Sequence, residues 1–222
     1  MHSNSHFEVH SVNVSGALRD VEFAGQTIRT GYFKEAVGTN VSVYRLGLDG
    51  DVQADLTVHG GVDKAVYFYP YEHYAGWESI LQSGPLPAGS FGENITTNGL
   101  LETDVCVGDV LQIGSAMLQV TQPRSPCYKL QIKFQRPDIV ALFVRRGLPG
   151  WYASVLREGS LGPGDDIEVV FRSPERISVA DIWKYSFGFG TDAKARMKMI
   201  ELAVLPNFWK QRIAQSPILD FA

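Results

Sequence analysis

Cysteine is scarce. The 222-residue chain has two, Cys106 and Cys127. Two thiols allow one disulfide at most and do not make the stapled scaffold of a small secreted domain. No run of about 18 apolar residues occurs, so no membrane-spanning helix is expected. The start, Met1-His2-Ser3-Asn4-Ser5-His6, lacks the apolar stretch of a signal peptide, and a reducing cytoplasm fits best. Positive charge is also lacking: 20 Lys and Arg against 24 Asp and Glu give a net charge of −4. That balance argues against a nucleic-acid partner, which needs a basic surface. There is no Cys-x-x-Cys and no His-Glu-x-x-His, so zinc is not expected. There is no phosphate loop and no dinucleotide glycine fingerprint, so ATP, GTP and tightly held NAD are not expected. No flavin or iron–sulfur motif is visible, and no Gly-x-Ser-x-Gly elbow occurs.

What is present is a core-forming composition, with 45% hydrophobic and 20% charged residues. The first three quarters read as β-rich runs between turn signals: Phe7–Val14, Val21–Phe23, Gln26–Tyr32, Val41–Tyr44, Ala65–Tyr69, Val110–Ile113, Ala116–Thr121 and Ile167–Phe171. Gly114-Ser115 joins two of them as a tight hairpin. Such spacing favours a closed or nearly closed sheet, because closure removes unpaired edges. Helices are expected over Tyr71–Gln82 and over Asp138–Arg146, the latter opened by Asp138 and stopped by Gly147. His2, His6 and His10 recur every four residues, but their neighbours suggest a strand and an incidental surface feature. At Ser173-Pro174-Glu175 the character changes, and Val179–Tyr185, Ala193–Leu202 and Phe208–Gln215 read as three short helices. The expected class is α+β, mostly β with helices: a domain over 1–172 and a three-helix domain over 173–222.

Three segments carry chemistry. In Pro123-Arg124-Ser125-Pro126-Cys127-Tyr128-Lys129 two prolines restrict a loop that presents one thiol between cationic neighbours. Nearby cations favour a thiolate, the form that attacks carbon or binds metal, while a lone cysteine is also a common small core residue. Gly50-Asp51-Val52-Gln53-Ala54-Asp55 leads to His59-Gly60-Gly61-Val62-Asp63-Lys64-Ala65, where paired glycines permit close backbone approach and His59 and Lys64 offer polar contacts. Phe91-Gly92-Glu93-Asn94-Ile95 offers Asn94, whose amide both donates and accepts, or else a simple Asx turn.

Taken in order, these segments resemble the MOSC family, in the branch typified by YiiM, from about Thr30 to the C-terminus, with a core motif region near 30–168. The resemblance implies a β-barrel-like domain followed by a small three-helix C-terminal domain. It implies a molybdenum cofactor with Cys127 as the metal ligand and as the catalytic residue. Lys34, His59, Lys64, Asn94, Arg124 and Ser125 are the implied cofactor-binding residues, because the cofactor's phosphate needs cationic donors. Gly92 stands where the sibling amidoxime-reducing branch has Arg, and Pro126 where that branch has another. Arg124 is the substitute cation.

The activity implied is reduction of N-hydroxylated compounds, such as hydroxylaminopurine bases or amidoximes. Electrons would come from a separate flavin or haem reductase, and the helical tail would serve docking or homodimer formation. A carrier of the cofactor, or of sulfur as a Cys127 persulfide, is the alternative. A cysteine hydrolase or acyltransferase pairing Cys127 with His59 is a third reading.

Overall fold

A computed structural model describes residues 6–52 and 60–217 of the chain. The class is α+β. The strands are β1 (Glu8–Val14), β2 (Arg19–Phe23), β3 (Gln26–Thr30), β4 (Glu35–Val37), β5 (Val41–Tyr44), β6 (Gly47–Leu48), β7 (Val66–Pro70), β8 (Ile95–Asn98), β9 (Val110–Ile113), β10 (Ala116–Pro123), β11 (Trp151–Arg157), β12 (Gly159–Leu161) and β13 (Ile167–Phe171). The α-helices are α1 (Tyr74–Leu81), α2 (Lys129–Phe134), α3 (Ile139–Arg146), α4 (Val179–Ser186), α5 (Ala193–Glu201) and α6 (Asn207–Gln215).

Eight strands form the main sheet in the order β13-β9-β10-β11-β7-β8-β1-β4, with β7 and β8 its parallel pair. The hairpin at Gly114-Ser115 is present, pairing Ile113 with Ala116. Of the closed or nearly closed sheet expected, the nearly closed form is what is found. β1 and the start of β13 meet at a single bridge, Glu8 with Asp166, beside backbone bonds from Val9 N–H to Asp165 O and from Ile167 N–H to Phe7 O. Closure goes no further because the same edge of the sheet is taken from Val12 onward by β4, which pairs Val12 with Val37. β5, β6 and β12 form a separate small sheet, and β2 and β3 a two-stranded arm.

β7 shows how the two faces of the sheet are used. Side chains alternate across a strand. Val66 and Phe68 enter an aliphatic core with Leu111, Leu118 and Trp151, while Tyr67 and Tyr69 face a second, aromatic core with Trp77, Phe91 and Phe143. The helices cover that second face. The helix expected from Tyr71 opens with a 3-10 turn, Tyr71–His73, before α1 begins. Asp138 precedes α3 without capping it, since its carboxylate pairs with Arg136 at 2.7 Å. α2 lies in a stretch the sequence left unassigned.

The three expected C-terminal helices all form. α4 opens with a capping box in which Ser178 and Asp181 satisfy each other's backbone N–H. Its approach is fixed by bonds from Val107 N–H to Ile177 O and from Val179 N–H to Val105 O. Trp183, Trp209 and Ile213 belong to the aromatic core. Trp209 Nε1 donates to Gln122 Oε1 at 2.9 Å, tying α6 to the end of β10. His10 lies on β1 with its ring stacked on Tyr71 at 4.1 Å, and His2 lies outside the described residues. Among the described residues no helix is long and apolar enough to cross a membrane.

Candidate functional site

The end of β10 delivers the site. Arg124 follows Pro123 directly, and Cys127 lies two residues before α2, with its carbonyl accepting from Leu130 N–H at 3.1 Å. Cys106 and Cys127 are both free thiols, so no disulfide forms, and Cys127 is half-buried. One cavity is lined by Cys127 together with Lys34, Lys64, Asn94, Arg124 and Ser125. Six of the seven residues singled out from sequence therefore share one recess. His59, and with it a Cys127–His59 pairing, lies outside the described residues.

Arg124 is 3% exposed. Its guanidinium lies over the rings of Tyr32, Tyr67 and Phe143 at 5.8, 5.1 and 5.2 Å. Cation–π attraction steadies it there. Burial works against its charge, but Tyr32, Tyr67 and Cys127 raise its pKa further above the usual arginine range. Nη2 donates to Tyr32 Oη at 3.4 Å, while Nη1 is buried with no hydrogen-bond partner among the described residues. A buried cationic donor without an acceptor is costly, so an acceptor entering the cavity is favoured there.

Asp51, which the sequence placed in a motif without giving it a role, is the hub of the polar wall. Its Oδ2 accepts from Lys34 Nζ at 2.6 Å and from Asn94 Nδ2 at 2.8 Å. Its Oδ1 accepts from Ser15 N–H at 3.1 Å and from Ser15 Oγ at 3.0 Å. Asn94 is fixed from its other end, where Oδ1 accepts from Tyr67 N–H at 3.1 Å. Burial pulls the Lys34 pKa down, against the attraction of Asp51. Burial likewise lowers Lys64, against Asp63.

The Gly92-Glu93-Asn94 turn is held from inside. Glu93 is fully buried and accepts from Gly89 N–H at 2.8 Å, Phe91 N–H at 3.0 Å, Thr96 Oγ1 at 3.0 Å and the Tyr74 hydroxyl. Burial raises its pKa, and these donors oppose the rise. Gly92 has φ +80°, and a Cβ there would stand 2.8 Å from the Tyr32 ring. Tyr32 thus occupies the space that a side chain at position 92 would need, and the arginine of the sibling branch has no room. Gly31 packs closer still, with an added Cβ 1.9 Å from Val52 O. Sequence reasoning also passed over Tyr32, Tyr67 and Tyr152 as lining residues. The β7 alternation, which aims Tyr67 away from Val66 and Phe68, was the signal available for one of them.

The arrangement suits an anionic group that brings most of its metal ligands with it. The cavity has four cationic side chains, Lys34, Lys64, Arg124 and Lys129, and one carboxylate, Asp51, among its described lining residues. Among the described residues no three His, Cys, Asp or Glu side chains cluster to hold a bare ion. One thiol, an unsatisfied guanidinium and a cationic wall fit a phosphate-bearing cofactor with its own soft ligands.

Comparison with known proteins points the same way. Residues 55–168 match the family model described as the MOSC domain. The protein YflK of Bacillus subtilis strain 168 is 40% identical over 204 residues, covering 92% of this chain and 91% of that protein. YiiM of Escherichia coli strain K12 is 36% identical over 195 residues, covering 85% and 87%. A protein of Gibberella moniliformis named a reductase is 32% identical over 163 residues, which is 71% of this chain and 28% of that protein. The crystal structure of YiiM from Geobacillus stearothermophilus superposes with a TM-score of 0.76 at 32% identity, covering 94% of this chain and 97% of that one.

Proposed function

We propose, from the premise that this chain belongs to the MOSC domain family and to its YiiM branch, that it holds a molybdenum cofactor in this cavity and reduces N-hydroxylated compounds. The family is associated with the molybdenum cofactor. The observation that carries the reading is the convergence of the Cys127 thiol and the unsatisfied Arg124 guanidinium in one cationic recess. Arg124, Lys64 and the Ser125 hydroxyl would hold the cofactor's phosphate, and Cys127 would be the protein's ligand to the metal. Lys34 is already matched by Asp51 and so adds less to that anion's binding. When bound, the cofactor supplies a two-electron centre that accepts oxygen.

The chain's own residues shape the rest. Gly31 and Gly92 let the backbone and the Tyr32 ring close around the recess without side chains of their own. Asp51 and the Tyr67 backbone fix the Asn94 amide, so that it presents one orientation to whatever enters. Small planar N-hydroxylated bases and amidoximes are the proposed substrate class, and the reductase name of the Gibberella relative supports a reductive activity. Electrons would come from a separate flavin or haem reductase, with α4–α6 as the docking or dimer surface, and the setting would be the cytoplasm.

The test is anaerobic turnover of a hydroxylaminopurine by cofactor-loaded protein with a viologen reductant. Wild type is expected to consume the substrate, and Cys127→Ala is expected to fold and show none. Equal turnover by Cys127→Ala would remove the ligand role. A loaded wild type that binds cofactor and stays inactive with several reductants would favour a carrier of cofactor or sulfur.

A further inference from the structure

The wall that holds Asn94 also contains a second device. The Lys34 and Asp51 side chains are 9% and 2% exposed and 2.6 Å apart, and both line the cavity that contains Cys127. A buried ion pair of this kind is weak evidence for stability, since desolvation cancels much of its attraction. Its surroundings are unsymmetrical. Asp51 accepts from Lys34 and from three further donors: Asn94 Nδ2, Ser15 N–H and Ser15 Oγ. Lys34 makes its one hydrogen bond, among the described residues, to Asp51. Loss of the Lys34 proton therefore leaves the Asp51 carboxylate held in place by three other donors.

We propose that Lys34 is the general acid of the site, delivering a proton to the departing oxygen as the N–O bond breaks, with Asp51 as the residue that positions it. The inference rests on the reductase reading above. The reaction it serves is R–NH–OH plus two electrons and two protons giving R–NH2 and water. The electrons come from the external reductant, one proton from Lys34, and the other from solvent, which afterwards restores the ammonium.

The neighbouring groups fit that role less well. The Tyr32 and Tyr67 hydroxyls donate to Phe91 O and Pro149 O at 2.8 and 3.0 Å. Burial raises both of those phenols and that of Tyr152 above the usual range, which makes them poorer acids. Arg124 does not deprotonate in proteins. Lys64, whose pKa burial also lowers, faces Asp63, an exposed carboxylate. Lys34 itself faces Asp51 at contact and Glu93 at longer range, and both carboxylates oppose the downward pull of burial. An acid must be protonated to act. Turnover should then be full below the lowered Lys34 pKa and fall as pH rises through it.

The experiment compares wild type, Lys34→Arg, Lys34→Met and Lys34→Ala, each purified with cofactor. Expected are wild-type molybdenum and pterin contents in all four, with kcat reduced about 100-fold in Lys34→Arg and Lys34→Met, as for loss of a general acid. KM should change little, and the alkaline limb of the kcat profile should vanish. Ethylammonium added to Lys34→Ala should restore part of kcat, since it supplies the missing acid. A Lys34→Arg enzyme with wild-type kcat would overturn the proposal, because arginine keeps the charge and not the transferable proton. Loss of molybdenum or pterin from Lys34→Met would overturn it too, by assigning Lys34 to holding the cofactor. Loaded wild type without turnover would remove the reductase reading and this inference together. Normal wild-type turnover beside an unaffected Lys34→Arg removes this inference alone.

Discussion

Arg124 has an aromatic cage on its faces and one buried donor that meets no acceptor among the described residues. A planar guanidinium fits that cage, and a lysine ammonium, compact and strongly hydrated, does not. Arg124→Lys is therefore expected to retain far less cofactor than wild type while folding, and Arg124→Met less again. The loss should be on the order of 2–5 kcal/mol in binding, as for truncating one partner of a buried charged contact. Pterin content of the purified variants measures it, and wild-type retention by Arg124→Lys would mean the ligand's anion sits elsewhere. At this scale much was legible. Cys127, Arg124, Ser125, Lys64 and Asn94 announce themselves through local motifs with prolines, glycines and charge in a short span. Asp51's role was not legible, because it arises from residues 15, 34, 51 and 94, which meet only in the fold.

Elements place these residues, and the turn before β8 does so under constraint. Gly92 at φ +80° sits under the Tyr32 ring, and Glu93 gathers four donors beneath it. Gly92→Ala should cost about 1–3 kcal/mol from backbone strain alone, with more from the ring contact. It should also lower cofactor retention by moving Tyr32 away from Arg124. Ser178→Ala is the contrasting case. It removes half of the α4 capping box and should cost about 1 kcal/mol while leaving cofactor content unchanged. Thermal denaturation and metal content measure both, and a Gly92→Ala protein as stable as wild type would contradict the packing argument. The elements left unread are β4, β6, β8, β11, β12 and α2, and several have physical reasons. β4, β6 and β12 are two or three residues long, too short for periodicity to declare itself. α2, Lys-Leu-Gln-Ile-Lys-Phe, alternates polar and apolar residues as a strand would, and its place after a proline-bounded loop decides it. The sheet stops short of full closure for a reason no single run contains: β4 competes for the edge of β1.

On the scale of the whole molecule, the C-terminal helices brace the sheet close to where it delivers the cavity. Trp209 of α6 is 1% exposed and donates to Gln122, two residues before Arg124. Asp109, in a Gly-Asp turn, accepts from Arg172 Nη1 and Ser173 N–H, each at 2.8 Å, and so fixes where the tail begins. Trp209→Phe keeps most of the packing but leaves Gln122 Oε1 without its donor, at a cost of about 1–3 kcal/mol. The account expects a lower melting temperature together with weaker cofactor retention. Destabilisation with unchanged retention would confine α6 to a packing role. The change to helical character at Ser173 was legible, whereas the contact between α6 and the end of β10 was not, since 87 residues separate the partners.

The central claim is that this recess holds a molybdenum cofactor through Cys127. The most direct measurement is the molybdenum and pterin content of wild type and Cys127→Ser, both purified from a host that makes the cofactor. The account predicts wild type carrying metal and pterin in near-equal amounts, and a folded Cys127→Ser with its molybdenum strongly depleted. Folded wild-type protein containing neither molybdenum nor pterin would contradict it.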